Sequence, residues 1–497
     1  VISSQKKRFL YVLSFTEGGA VMATELIGAK ILAPYFGTSL YVWTCVMALT
    51  LGGLAGGYFF GGRLSQNEKH ERILMRTVLL ASVYMCILPL FSPFFLYLAE
   101  LTSLIPAVLV SSTVVLLPPV FLMGMVSPLL IKSLTEKAAE SGKKAGEVYA
   151  ISTVGGILFC FLTGFYLIPS WGLDYSLLLV SGLLALFPIL YFAKGKNYFA
   201  GVIYLLCAFG LVYGGSKNIR SVYLSEGLLG KLEVQDAHYQ FNAAEKKERC
   251  RLLLINNVIQ SAVSLASGES RLEYTSLIQN NIDGLGLQPK TALVLGLGGG
   301  VLANELNKRN IKVTAVELDP RIAEVAKTWF NLDENVEVIQ DDARHALYRL
   351  DKKYDLVMLD LFHAETTPSH VLSLECFQKI RSLLNEGGIL IINTYGYLKD
   401  RTGAGNLILL NTLQKAGLNY KICYVGDKVQ EDFRNFEIFC TVQPILQNLA
   451  GELEENIPDL GEVALNTDKK PLLEYSNARA AKRWRYAYLR NFIAPNQ

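Results

Sequence analysis

The residues best placed to do chemistry lie at the ends of three successive apolar strands. Thr291-Ala-Leu-Val-Leu295 runs into Gly296-Leu-Gly-Gly-Gly300, and a helical pattern follows from Val301 to Arg309. A glycine run between a strand and a helix lets the backbone approach a ligand closely, with the helix N-terminus behind it. The next strand, Lys312-Val-Thr-Ala-Val316, ends in Glu317-Leu318-Asp319. A carboxylate at that strand end can accept from both hydroxyls of a ribose. The third, Val336-Glu-Val-Ile339, ends in Asp341-Asp342, where a carboxylate can accept from an adenine amino group. Glycine loop, ribose acid and adenine acid in this order fit an adenosine without a pyrophosphate, which disfavours NAD. The plainer alternative is a glycine turn flanked by solvated carboxylates.

The element pattern around these residues is an alternation of strands and helices from Pro289 onward, the signature of a parallel sheet. Short strands precede it at Lys231–Val234 and Arg251–Ile255. Before about residue 215 the character is different. The chain as a whole is 51% hydrophobic and only 18% charged, whereas soluble domains average about 25% charged residues. Apolar runs occupy residues 9–33, 40–62, 73–99, 105–131, 148–168, 173–193 and 198–215, and roughly 20 apolar residues suffice to cross a bilayer.

Lys and Arg cluster in alternate connections. Lys6, Lys7 and Arg8 precede the first run, Arg63 to Arg76 surround the second connection, Lys132 to Lys144 the fourth, and Lys194 and Lys196 the sixth. The positive-inside rule therefore places the N-terminus in the cytoplasm. Seven spans would put the C-terminal domain outside the cell, so residues 198–215, the shortest run and evenly flanked by charge, are expected to be re-entrant or interfacial. Gly52, Gly53, Gly56, Gly57, Gly61 and Gly62 give small-xxx-small spacings for close helix packing. Pro118, Pro119 and Pro128 are expected to kink the fourth run. Glu17, Glu25 and Lys30 within the first run mark either a Glu25–Lys30 pair or a site for a cationic substrate.

No basic tract interleaved with aromatics points to nucleic acid, and the eight scattered cysteines suit a reducing compartment better than a disulfide framework or zinc site. No metal is expected. The chain begins at Val1 rather than Met, so an upstream segment, a removed signal peptide included, is compatible with it.

From about Glu226 to Tyr397 the sequence resembles spermidine synthase, a polyamine aminopropyltransferase. The resemblance rests on Gly230-Lys-Leu-Glu-Val234, Asn256-Asn-Val-Ile-Gln-Ser261, Leu272-Glu-Tyr274, the glycine loop, Val316-Glu-Leu-Asp-Pro320, Asp341-Asp-Ala-Arg344, Tyr354-Asp-Leu-Val-Met-Leu-Asp360, Pro368-Ser-His370 and Glu386-Gly-Gly388. The N-terminal half, with Gly61-Gly62-Arg63-Leu64 and Leu122-Met-Gly124, resembles the membrane part of fused membrane-protein/spermidine-synthase-like proteins, itself similar to half of a major-facilitator bundle.

The resemblance implies an α-helical transmembrane bundle (1–215), a small β subdomain (216–288), a Rossmann-like domain of the class I methyltransferase type (289–445) and a tail (446–497). It implies decarboxylated or intact S-adenosylmethionine as co-substrate, a small-molecule amine as acceptor and a bilayer as surroundings; a homo-oligomer is compatible with it. The location implied is a multi-pass position in the inner or plasma membrane, with the catalytic domain cytoplasmic. Asp360 takes the family's catalytic strand-end position; a helix N-cap is its plainer role. Gln260, Tyr274 and the loop glycines Gly296, Gly298 and Gly299 become donor contacts, with Glu317 as ribose anchor and Asp341-Asp342 at the adenine.

Three departures remove negative charge. His363 stands where the family has a second aspartate, Gly299 replaces an acid in the glycine loop, and Asn256-Asn257 replaces Asp-Gly. They make intact S-adenosylmethionine more plausible as donor and putrescine doubtful as acceptor. His363 is read as a general base or as a lid residue facing solvent. Asp468 either closes over the site or belongs to a docking turn. The stretch Arg479 to Arg490 either lies on the inner leaflet or is a solvated helix. Three functions follow: alkyl transfer to an amine (or consumption of the donor on itself) with methylthioadenosine release, methyl transfer, and a nucleotide-sensing transporter.

Overall fold

A computed structural model describes residues 2–36, 40–91, 94–95, 104–215, 221–227, 229–240, 247–361, 368–398, 403–426, 433–443, 449–454, 456–477 and 479–484. The chain divides into two compact units: Val1–Ile219 with Ser225–Lys231, and Arg220–Leu224 with Leu232–Gln497.

The first unit is a bundle of seven helices among the described residues: α1 (Ser4–Phe36), α2 (Leu40–Leu64), α3 (His70–Ile87), α4 (Leu104–Leu134), α5 (Ser141–Leu162), α6 (Ile168–Lys194) and α7 (Phe199–Gly215). Four stretches are long and apolar enough to cross a membrane: Val42–Leu64, His70–Phe91, Pro106–Leu134 and Ala138–Lys194. The last has 57 residues, enough for two crossings. It breaks where the sequence separates two runs, at Gly172, whose φ of +75° is outside helical range. The glycine stripe does what its spacing predicts. A Cβ on Gly57 would lie 2.4 Å from the Phe121 carbonyl oxygen, and one on Gly61 2.6 Å from that of Met125, so only glycine lets α2 and α4 meet so closely. Gly52 and Gly62 face open space instead. α4 continues as one helix through Pro118, Pro119 and Pro128. Glu17 is buried and accepts from the Ser152 hydroxyl at 3.3 Å, while Glu25 is half-buried.

Ion pairs tie the basic connections to one end of the bundle. Lys6 pairs with Glu71, and Lys7 with Glu136 at 3.3 Å. Lys144 pairs with Glu147 at 2.7 Å, whose carboxylate also accepts from Tyr11. The Phe9 and Phe187 rings, 5.3 Å apart, bring the Lys194 end of α6 there too. From that end α7 packs back along α6 and α3. The Tyr204 hydroxyl donates to the Leu178 carbonyl at 3.0 Å, and Tyr204 shares a cluster with Cys86 and Ala185. Beyond α7, the Glu226 carboxylate accepts from the Leu173 N–H, at the opposite end of α6 from Lys194. Residues 199–215 thus form one helix packed along α6 and α3, of which Phe199–Gly210 is apolar but shorter than the four candidate spans.

β1 (Ser221–Gly227), β2 (Gly230–Tyr239), β3 (Glu248–Ile255) and β4 (Val258–Ser264) form a sheet in sequential order, of which the sequence suggested two strands; its residues within Ser225–Lys231 are counted with the first unit and the rest with the second. Asn256 and Asn257 join β3 to β4 with φ of +49° and +66°, as a two-residue hairpin turn of left-handed conformation requires.

The larger sheet contains β5 (Thr291–Leu295), β6 (Lys312–Glu317), β7 (Glu337–Gln340), β8 (Tyr354–Leu359), β9 (Leu384–Gly396), β10 (Asn419–Tyr424), β11 (Arg434–Thr441) and β12 (Glu452–Leu453). Their spatial order is β12-β10-β11-β9-β8-β5-β6-β7. Strands β5 to β9 are parallel; β11 enters between β9 and β10 and is antiparallel to both. Helices α8 (Glu273–Gly284), α9 (Val301–Lys308), α10 (Pro320–Trp329), α11 (Ala343–Arg349), α12 (Leu374–Leu383), α13 (Ala404–Lys415) and α14 (Leu473–Ser476) accompany it, with one apolar core on each face of the sheet. This is the Rossmann-like order of class I methyltransferases and spermidine synthases. The chain reverses its direction of travel between β5 and β8, and in open α/β sheets ligands bind at that reversal, outside the carboxyl ends of the strands.

Candidate active site

The glycine loop and Asp360 meet at that reversal. The Asp360 N–H donates to the Leu295 carbonyl at 2.9 Å. Gly296 has φ +93°, and a Cβ there would sit 2.2 Å from the Asp360 carbonyl oxygen, so the end of β8 can lie against the loop only because residue 296 is glycine. On the other side, the Gly299 N–H donates to the Ser261 hydroxyl at 2.8 Å, which places β4 and the neighbouring Gln260 beside the loop. A Cβ on Gly299 would lie 3.0 Å from both Phe330 and Ser261. A side chain at this position would need the Phe330 ring or the Ser261 side chain to give by a few tenths of an ångström.

Glu317, at the end of β6, is buried and accepts from the Leu297 N–H at 3.1 Å and the Asp319 N–H at 2.8 Å. Burial raises its pKa, and these backbone donors oppose the rise. A carboxylate has about four acceptor positions, so capacity for ribose hydroxyls remains. Asp342 is the N-cap of α11, accepting from the His345 N–H at 3.0 Å, with the His370 imidazole at 3.4 Å. Asp341 holds the His345 ring at 2.7 Å, and that contact keeps its carboxyl below the usual range.

Asp360 is not an N-cap among the described residues. Its two oxygens accept from the Tyr274 hydroxyl at 2.8 Å and the Asn393 side-chain amide at 2.9 Å. Burial raises its pKa against the pull of these two donors. Tyr274, on α8, is pushed well above the ordinary phenol value by burial and then by Asp360, so it is a neutral donor. Of the predicted site residues the structure thus joins Tyr274, Asp360 and the glycine loop directly, with Gln260 alongside. Glu317 and Asp342 follow at the next two strand ends. His363 lies outside the described residues.

Asp468 does not close over this site. It makes a bidentate pair with Arg344, while its N–H donates to Glu375 at 3.1 Å. Arg344 also donates to the His370 carbonyl at 2.6 Å. This is a docking turn that fastens the tail to α11 and α12. Residues 479–484 are helical, and the Trp484 ring stacks on Tyr395 with centroids 4.5 Å apart. The described part of the basic tail is therefore docked through Trp484, with Arg479 and Arg483 exposed, and the rest lies beyond the described residues.

Sequence reasoning missed Asn393, Asn435 and Glu437. In register, Asn393 on β9 faces Glu437 on β11, and Asp360 continues β8 at the same level, after the Leu359–Ile392 pair. Glu437 is fully buried, and burial, then the nearby Asp360, pushes its pKa well above the carboxylate range. A signal existed: Phe436-Glu-Ile-Phe439 sets one acid inside an apolar strand.

Comparison with known proteins agrees with this layout. Residues 272–401 match the family model of the spermine/spermidine synthase domain. Over 168 residues the chain is 29% identical to a probable polyamine aminopropyl transferase of Bifidobacterium longum, covering 33% of this chain and 37% of that protein. Over 135 residues it is 30% identical to the polyamine aminopropyltransferase of Vibrio vulnificus, covering 25% and 45%. It is also 29% identical over 155 residues to an N-terminal histidine N-methyltransferase of Emericella nidulans, covering 30% and 28%. The chain thus spans less than half the length of these relatives. Among solved structures, a probable spermidine synthase from Corynebacterium glutamicum aligns with 17% identity and a TM-score of 0.40, over 50% of this chain and 94% of that one.

Proposed function

We propose that this chain, whose C-terminal unit belongs to the spermidine synthase-like family, is a membrane-embedded transferase. It takes an S-adenosylmethionine-type donor, moves the donor's alkyl chain to an amine and releases methylthioadenosine. The observation that carries this reading is the placement of Asp360, held by Tyr274 and Asn393, against the glycine loop.

The chemistry is a direct displacement. The amine lone pair forms the new C–N bond, the C–S electron pair leaves to sulfur, and the sulfonium becomes a neutral thioether. Freeing an alkyl amine of its proton at pH 7 costs roughly 4–5 kcal/mol for a pKa of about 10.4. Asp360 orients the ammonium and takes its proton, which then passes to water; Tyr274 and Asn393 fix the carboxylate's position. Glu317 holds the ribose and Asp342 the adenine edge, while Gln260 and the loop backbone flank the sulfonium. Glycine at position 299 supports intact S-adenosylmethionine as donor, because no acid is present there to repel its carboxylate. The departure at His363 removes negative charge in the same sense.

Methyl transfer is the second reading, favoured by the match to the histidine N-methyltransferase. Incubation of the purified full chain with intact and decarboxylated donor, followed by mass spectrometry of the nucleoside, separates the two. Methylthioadenosine is expected; S-adenosylhomocysteine overturns the proposal in favour of methyl transfer, and an unconsumed donor in favour of a sensor.

The long apolar helices and glycine contacts support insertion of the first unit in a bilayer. With the basic connections cytoplasmic, the course of α7 and the Glu226–Leu173 bond support exit of the chain at the opposite face. Reporters fused after Lys194 and after Lys217 should therefore read on opposite sides. Matching readings would restore a cytoplasmic catalytic unit.

A further inference from the structure

Glu17 is a buried acid that the chemistry of the second unit does not use. It lies about 14 Å along α1 from Arg8, the last of the leading basic residues, at the rise of an α-helix. That is half the depth of a hydrocarbon layer of about 30 Å. α1 stands inside the bundle, with Leu13, Ala20, Ala23, Ile27 and Leu32 buried, and Glu17 itself is 2% exposed. Among the described residues its one hydrogen-bond donor is the Ser152 hydroxyl on α5, at 3.3 Å. The other α1 hydroxyls near it serve backbone carbonyls: Ser14 donates to Val148 at 3.0 Å, Thr16 to Val12 at 2.9 Å and Thr24 to Ala20 at 2.6 Å. The lysine pairs of the bundle, Lys6–Glu71, Lys7–Glu136 and Lys144–Glu147, gather at its basic end. Glu17 thus has no cation among the described residues.

Glycines bring α5 against α1 at this level. A Cβ on Gly18 would overlap the Ser152 carbonyl oxygen, and one on Gly155 that of Phe15. Tyr149 and Ser152, three apart on α5, share a helix face. The Tyr149 ring meets that of Tyr58, from α2, edge to face with centroids 6.1 Å apart. Glu17 is close enough to act electrostatically on the Tyr58 hydroxyl. Since α1 packs against both α2 and α5, the acid forms the floor of a groove and the tyrosine pair its rim. The rim is open where the floor is not: Tyr58 is 37% and Tyr149 43% exposed. The exposed residues of α2 and α5 on either side of them in sequence, Leu51, Phe59, Val154 and Ile157, are apolar.

A carboxylate at membrane depth without a partner cation is costly, and such residues mark function. A hard divalent ion would need about six oxygen ligands, whereas this groove offers one carboxylate and the hydroxyls of Ser152, Tyr58 and Tyr149. A neutral ligand would leave the acid uncompensated. A monovalent cation with an apolar body meets each condition. Its charge pairs with Glu17, the tyrosine faces attract it further, and the apolar rim admits it from the lipid side. We propose that Glu17, with Ser152, Tyr58 and Tyr149, forms a binding site within the first unit for a lipophilic monovalent cation. The proposal rests on the reading of the first unit as membrane-inserted and is independent of the transferase chemistry.

Equilibrium binding of tetraphenylphosphonium, a permanent lipophilic cation, to the full chain in detergent tests it, with protein-free micelles as the blank. Wild type should bind the cation saturably, and Glu17→Gln should weaken that binding at least tenfold. Triphenylphosphine oxide, which keeps the rings and lacks the net charge, should not distinguish the variant from wild type. No saturable binding of the cation by wild type, or unchanged affinity in Glu17→Gln, overturns the proposal. Equal weakening of both probes overturns it as well, because Glu17 would then shape the groove without serving as its anion. Should Glu17→Gln fail to elute as a folded chain, Tyr149→Leu at the exposed rim supplies the comparison. At least threefold weaker cation binding supports the site there, and unchanged affinity overturns it. Release of the chain from membranes by alkaline carbonate without detergent would instead overturn the bilayer reading on which the proposal rests.

Discussion

The carboxylates of the β5–β7 side and those of the β8–β11 side are handled in opposite ways. Glu317 and Asp342 each accept backbone N–H groups, so their charge is already stabilised by fixed dipoles. Glu437 receives no donor, and Asp360 only two neutral ones. Satisfied carboxylates suit neutral partners such as ribose hydroxyls, which need orientation more than charge. Unsatisfied ones are pushed toward the protonated form, and burial raises the pKa of both Asp360 and Glu437. The difference teaches that a site can be read from what each acid lacks as well as from which acids are present.

The largest expected effect tests this contrast at Asp360. Asp360→Asn keeps shape and removes charge, so methylthioadenosine release should fall by about 10²–10⁴, the usual worth of a positioned acid–base group. Nucleoside affinity should stay within a few-fold; a comparable loss of binding would make Asp360 a structural residue. Next, Glu317→Ala should weaken methylthioadenosine binding at least tenfold, through loss of charged hydrogen bonds worth about 1.5–3 kcal/mol. Unchanged calorimetric affinity would remove the ribose assignment.

A smaller effect concerns pH and the groups that Glu437 faces, Asp360, Tyr274 and Cys423. The folded pKa of Glu437 is raised above its unfolded value, so the folded state binds more protons. Its contribution to stability is then present at low pH and is lost as pH rises through the folded pKa. Glu437→Gln removes that loss. Its Tm should exceed wild type at pH 8 and match it near pH 5; a lower Tm at both would mean that the carboxylate is paired in the folded protein. The smallest effect belongs to the tail. Asp468→Asn breaks a largely exposed pair, worth about 0.2–1 kcal/mol, and turnover should stay within twofold. A large fall would return Asp468 to a role over the site.

The strand-end placement of the residues proposed for the adenosine was legible in the sequence, because periodicity stops there and chemistry begins. Gly296, Glu317 and Asp342 each follow an apolar strand that the pattern identifies. Asp360 came through the family resemblance, and Tyr274 with it. Asn393, Asn435 and Glu437 were not legible in the same way, because they lie within strands and meet only when β11 inserts antiparallel beside β9. No local pattern states that pairing. Flanking charge does not orient α7; the Tyr204–Leu178 bond, which no local pattern states, lays it along α6.

A crystal structure of the full chain with methylthioadenosine tests the central division of the site most directly. The account predicts the ribose hydroxyls on Glu317, the adenine toward Asp342, and the thioether sulfur on the Asp360 side of the glycine loop. A nucleoside bound in the reverse sense, with its base toward Asp360 and Glu437, would contradict it.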